Sequence, residues 1–213
     1  MHRRSLIAAG AAAPLAWAWV RPAGAAESRA DAKPYLQVKP VPGEGGIVRV
    51  FFSPSCAFSK AYVSFFRNLQ ATLPESLHLA YSPLVNKMDG VGYALAFEAV
   101  AARYPGFVDN FVEASMLGVQ EHGLGPSNWR ALERIGRAAR LPVSLPELVR
   151  DQQRVARAAV DAALDRQRAL AVTNTPTVTV NGTYVVTPEF TNGDPQLFSQ
   201  LVNGVISMVN PMS

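Results

Sequence analysis

Cysteine is almost absent from this chain: its 213 residues include one, Cys56. An internal disulfide is thereby excluded. The thiol is left with three roles: buried and inert, joined to another molecule, or free and reactive. Histidine is scarce as well. Past residue 25 only His78 and His122 remain, without His-x-x-His-like spacing and without a second cysteine. Neither a metal site nor a cofactor is expected from such a set. No serine stands in a nucleophile elbow, and no glycine-rich loop is suited to cradling phosphate. Beyond the first 25 residues there is no apolar run long enough to span a bilayer.

The chain opens instead on an export signature. Arg3 and Arg4 supply a basic start, Leu6 to Val20 is apolar and rich in alanine, and Ala23-Gly24-Ala25 is an A-x-A cleavage site. Residues 1–25 are therefore predicted to be a signal peptide, with Ala26 as the mature N-terminus. The apolar stretch is short and broken by Gly10 and Pro14, so stable membrane insertion is not expected. Arg3-Arg4-Ser5-Leu6-Ile7 also fits a twin-arginine signal, which would mean export after folding. The segment carries Arg3, Arg4 and Arg21 and no acid, so its removal takes the formal charge from +4 to +1. The high pI thus belongs mostly to the export tag, and no basic face calls for nucleic acid. Residues 26–213 suit a single domain.

Within that domain the patterning is mixed. Tyr35-Leu36-Gln37-Val38 reads as an edge strand and Ile47–Phe52 as a buried central one, with Arg49 its only charge. Ser55 is placed to cap a helix from about Cys56 to Leu73, with Tyr62, Phe65, Phe66 and Leu69 on its apolar side. His78 to Leu84 reads as a second strand. From about Asp89 to Ala169 the pattern is helical, with ten acids balanced by ten arginines, as on a solvated helix surface. Ser127 is placed to cap a helix carrying Trp129. Ser144-Leu145-Pro146-Glu147 is a capping box opening a long helix to about Leu170. Thr177–Val180 and Thr183–Val186 flank Asn181-Gly182, a strong hairpin signal. A last helix spans about Pro195 to Val209. The order is strand, helix, strand, helical block, hairpin, helix, which is an α/β chain.

Two distant segments then carry a resemblance. Val50-Phe51-Phe52-Ser53-Pro54-Ser55-Cys56-Ala57-Phe58-Ser59 is similar to the strand, loop and active-site helix start of the thioredoxin-fold, DsbA-like disulfide oxidoreductases of the bacterial periplasm. Thr175-Pro176-Thr177, followed by Val178-Thr179-Val180-Asn181-Gly182, resembles that family's cis-proline segment and hairpin. The intervening helices match its helical insertion in length and position. The resemblance implies a thioredoxin fold with a helical insertion at about 89–169. It also implies that Cys56 is the nucleophile, at a helix N-terminus where backbone N–H groups and the helix dipole favour a thiolate. Pro176 would be cis, and the backbone of Thr175 would pair with an extended substrate strand.

Three departures limit the activity. Ser59 replaces the resolving cysteine, Phe58 stands where a histidine often lies, and Val50 occupies a strand position that commonly holds a buried glutamate. Net dithiol oxidation is not available to such a chain. A lone thiol can still form a mixed disulfide, resolved from outside by a protein thiol or glutathione. Ser59 could donate a hydrogen bond to the Cys56 thiolate. The resemblance therefore implies a periplasmic monothiol exchange, isomerase- or reductase-like protein. The second reading is a redox-inactive chaperone or assembly factor that holds extended polypeptides. No dimerisation segment is evident, so a monomer is expected.

Overall fold

The computed structural model describes residues 33–210. The signal peptide read at 1–25 and its cleavage site lie outside the described residues. The fold is built around Ile47–Phe52 (β2), whose β-branched and aromatic residues suit a pleated, fully covered position. It pairs in parallel with His78–Pro83 (β3) and antiparallel with Thr177–Val180 (β4). Tyr184–Val186 (β5) continues the sheet beyond β4, and the short edge Leu36–Gln37 (β1) closes that side. The resulting order is β1-β5-β4-β2-β3 in one five-stranded sheet.

Alternation along β2 distributes the core. Val48 and Val50 face Tyr62, Phe66 and Leu69 together with Phe198, Val202 and Val205. These come from Val63–Thr72 (α2), from Tyr62 at the junction that joins it to the preceding Ala57–Ala61 (α1), and from the C-terminal Pro195–Val209 (α8). Phe51 packs against Leu84, Leu170 and Val172 instead. Phe52, the last residue of the strand, enters a second core formed by the helical block. That block comprises Gly90–Arg103 (α3), Val108–Gln120 (α4), Trp129–Ala138 (α5), Leu145–Asp151 (α6) and Gln153–Ala169 (α7). The ring of Phe52 meets Tyr81, Tyr93 and Phe97 edge-on, at 6.0, 6.2 and 5.6 Å between centroids. One side chain thus ties the inserted helices to the end of the central strand, four residues before Cys56.

The lone charge of β2 is accounted for from outside the strand. Arg49 is buried and makes a two-pronged pair with Glu44, at 2.7 and 2.9 Å. Arg166 of α7 adds a longer contact to the same carboxylate at 3.6 Å. Two-toothed guanidinium–carboxylate geometry of this kind is among the stronger polar contacts available to a buried charge.

Several helix boundaries differ from the sequence reading, each for a visible reason. The first helix bends at Tyr62, whose buried ring lies 4.8 Å from that of Phe198. Asn128, not Ser127, caps α5, accepting from the N–H groups of Arg130 and Ala131 at 2.9 and 3.4 Å. Ser144 does occupy the N-cap of α6, yet its side chain makes no capping bond. Glu133 of α5 takes over, accepting from the N–H of Leu145 at 2.8 Å. The long helix expected to reach Leu170 is divided at Gln152 into α6 and α7.

Candidate active site

Cys56 is itself the N-cap of α1, with an extended backbone at φ −89° and ψ 117°. A tight turn precedes it, closed by the Cys56 N–H donating to Ser53 O at 3.1 Å. The sulfur is half-buried and free. It lies against the loop before β4, where the Thr175–Pro176 peptide bond is cis. The Cys56 thiol donates to the carbonyl oxygen of Thr175 at 3.1 Å. Two segments 119 residues apart in the chain therefore meet at one sulfur atom.

The Thr175 loop is anchored on both sides. Thr177 Oγ1 donates to Asn174 O at 2.7 Å, and Asn174 Nδ2 donates to Glu189 Oε1 at 3.0 Å. Burial opposes ionisation of Glu189, but hydrogen bonds from Thr187, its own backbone and Asn174 outweigh it and hold the carboxyl below the usual range. Glu189 is therefore an anion at neutral pH, on the lining of the cleft that Cys56 also lines.

The expected contact between Ser59 and the sulfur does not form. Ser59 is fully buried one turn into α1, and its hydroxyl accepts from the Ser53 N–H at 3.3 Å. It supports the loop from beneath. Ser55 does not cap the helix either. Its hydroxyl donates to Asp89 Oδ1 at 2.6 Å, and Asp89 also accepts from Asn86 Nδ2 at 3.1 Å. From the opposite side Gln120 Nε2 donates to Pro54 O at 2.8 Å and Cys56 O at 3.0 Å.

Asp89 and Gln120 were not legible as site residues. Each belongs to the helical block, 34 and 64 residues from its partner in the loop, and neither sits in a motif. His78 and His122 are exposed and play no part at the sulfur. Among the described residues no group of three or more His, Cys, Asp or Glu side chains converges on a point.

Thr175 borders two clefts, one of which the thiol also lines. One cleft of about 640 Å³ is lined by Cys56, Leu84, Asn86, Lys87, Met88 and Glu189 among others. A second, of about 450 Å³, lies between Phe58, Thr175, Pro188 and Gly193. Phe58 and Met88 stand 55% and 69% exposed, one beside each cleft. The arrangement combines a free sulfur, a backbone segment with pairing groups, and room for an extended chain.

No protein-family model matches the sequence, and no curated protein matches it either. Solved structures do. The oxidoreductase DsbA of Xylella fastidiosa superposes with a TM-score of 0.69 at 19% identity, over 84% of this chain and 96% of that one. DsbA of Pseudomonas aeruginosa gives 0.71 at 18% identity, covering 84% and 93%. A Proteus mirabilis DsbA with a non-covalently bound cysteine-containing peptide gives 0.67 at 17% identity, covering 84% and 96%. At these identities the likeness speaks to architecture, and it spans nearly all of each relative. This chain therefore has the thioredoxin fold of the DsbA-like disulfide oxidoreductases, helical insertion included.

Proposed function

We propose that this protein carries out monothiol thiol–disulfide exchange in the periplasm, with Cys56 as the nucleophile. The observation that carries the reading is the sulfur of the only cysteine, 3.1 Å from the Thr175 carbonyl at a cis-proline loop and open to a cleft. In the exchange, the Cys56 thiolate attacks one sulfur of a substrate disulfide. A bond forms between that sulfur and Sγ, the substrate S–S bond breaks, and the departing thiolate takes a proton from water. An external thiol, of a protein or of glutathione, then attacks the mixed disulfide and regenerates Cys56. Disulfides are exchanged without net oxidation. Thr175 and Pro176 present the backbone edge along which an extended substrate pairs, and Ser59 holds the loop rather than the sulfur. The export signature expected at residues 1–25 supports a compartment where such substrates occur.

The test is capture of the intermediate. The mature protein is incubated with a cysteine-containing peptide disulfide and the products are separated by mass. A mixed disulfide on Cys56, released by added glutathione and lost in Cys56→Ser, is the expected outcome. Equal exchange by the Cys56→Ser protein would falsify the reading.

The exposure of Phe58 and Met88 favours a second reading, a redox-inactive holder of extended polypeptides. It requires that Cys56→Ala suppress aggregation of a reduced client as well as the unaltered protein does, in the absence of any exchange.

A further inference from the structure

We infer that the helical insertion positions the nucleophile, and that Gln120 is the positioning residue. The inference rests on the reading of Cys56 as the attacking sulfur. It begins with how little the loop Ser53-Pro54-Ser55-Cys56 does to hold itself. Pro54 has no N–H to donate. Within the loop the bonds are Cys56 N–H to Ser53 O and Ser55 N–H to Ser53 Oγ, at 3.1 and 3.2 Å. Both converge on Ser53 and leave the carbonyls of Pro54 and Cys56 pointing away from the loop.

Gln120, the last residue of α4, donates to both of those carbonyls at once. Among the described residues it is the only hydrogen-bond partner of Pro54 O. The neighbouring Glu121 pairs with Lys60 of α1 at 2.5 Å, which fixes the end of α4 against the same helix that Cys56 caps. On the far side Asp89 at the start of α3 takes the Ser55 hydroxyl. Three consecutive loop residues are thus gripped by the start of α3 and the end of α4. From beneath, α1 holds the same loop through Ser59 Oγ, which accepts from the Ser53 N–H at 3.3 Å, and through the Lys60 N–H, which donates to Cys56 O at 3.2 Å; the insertion adds the lateral hold that bears on where the sulfur meets Thr175 O.

A reacting atom displaced by about 1 Å loses far more rate than a single exposed bond contributes to stability. Removing the Gln120 amide should therefore be read in the sulfur's reactivity before it is read in unfolding. The mature protein is alkylated with iodoacetamide from about pH 5 to 9, a range that ends just above the reference thiol value, and the rate profile of Cys56 is recorded. Gln120→Met keeps length and removes both donors. It is expected to change the plateau rate or displace the profile by about three- to tenfold, the scale of one or two neutral hydrogen bonds. Arg67→Met is the control. It removes the exposed Arg67–Glu113 pair that also joins α2 to α4, and it should leave the profile unchanged.

A Gln120→Met profile that coincides with that of the unaltered protein overturns the inference. Should Gln120→Met fail to fold, Gln120→Glu serves. Its carboxylate would face two carbonyl oxygens, and the same departure is required of it. Exchange with a peptide disulfide is measured alongside on the unaltered protein. Absence of exchange sinks the monothiol reading while the alkylation comparison still decides the role of Gln120.

Discussion

At the scale of single residues the structure places charge where the sequence showed only scattered letters. Glu98, half-buried on α3, has its carboxyl pushed up by burial, and the opposing fields of Arg166 and Arg49 do not cancel the effect. An acid whose folded value lies above its unfolded value binds its proton more tightly when folded. Its contribution is thus most favourable at low pH and is lost as pH rises from the unfolded value through the folded one. Glu98→Gln is therefore expected to raise the melting temperature at pH 7 and to leave it nearly unchanged at pH 4. Thermal melts of both proteins at the two pH values check this, and a variant less stable at pH 7 would show that the two arginines dominate. Glu189 has the opposite sign. Its stabilising contribution is present above the ordinary carboxylate range and fades as pH falls through its lowered value.

Elements show how far local signals reach. Asn181-Gly182 announced a hairpin, and the turn has positive φ at both residues, 53° and 59°, as two-residue turns matched to strand twist require. The sequence did not announce that the turn abuts the N-terminal segment. A Cβ at Gly182 would lie 2.5 Å from Glu44 Cβ and 3.1 Å from Val41 O. Gly182→Ala thus combines left-handed strain with overpacking, and a loss of about 2–4 kcal/mol is expected from urea unfolding. An effect below about 0.5 kcal/mol, the range of an ordinary surface change, would mean that the Glu44 loop moves aside freely. The capping box at Ser144 teaches the converse. Its local pattern was correct for a helix start, but Glu133 from another helix supplies the hydrogen bond, because a buried end takes whichever acceptor the packing brings.

Across the whole molecule, two attachments hold the sheet to what surrounds it. Phe52 binds the helical insertion to the end of β2 through edge-on contacts with the rings of Tyr93 and Phe97. Glu44 binds the segment before β2 to Arg49 in the sheet and to Arg166 in α7. Glu44→Ala leaves a buried arginine without its counter-ion, and a loss of about 3–5 kcal/mol is expected. Glu44→Gln, which keeps an acceptor, should cost less. Equilibrium denaturation of both variants separates charge neutralisation from hydrogen bonding, and equal losses would mean that charge is not what matters there.

The sequence by itself determined the parts that short-range patterning encodes. The central strand and the last helix appear with the boundaries their residues predicted, and the hairpin forms with its second strand one residue shorter, from Tyr184, since apolar periodicity and turn chemistry act within a few residues. Cys56 and Thr175-Pro176 could be singled out for the same reason, each lying in a recognisable local run. What only the tertiary structure decided is how these runs meet. The 3.1 Å contact of sulfur and carbonyl, the turning of Ser59 away from the thiol, and the hold of Gln120 and Asp89 on the loop all join residues far apart in the chain. Such contacts follow from packing the insertion against β2 and α1, and no local pattern in a single sequence carries that information.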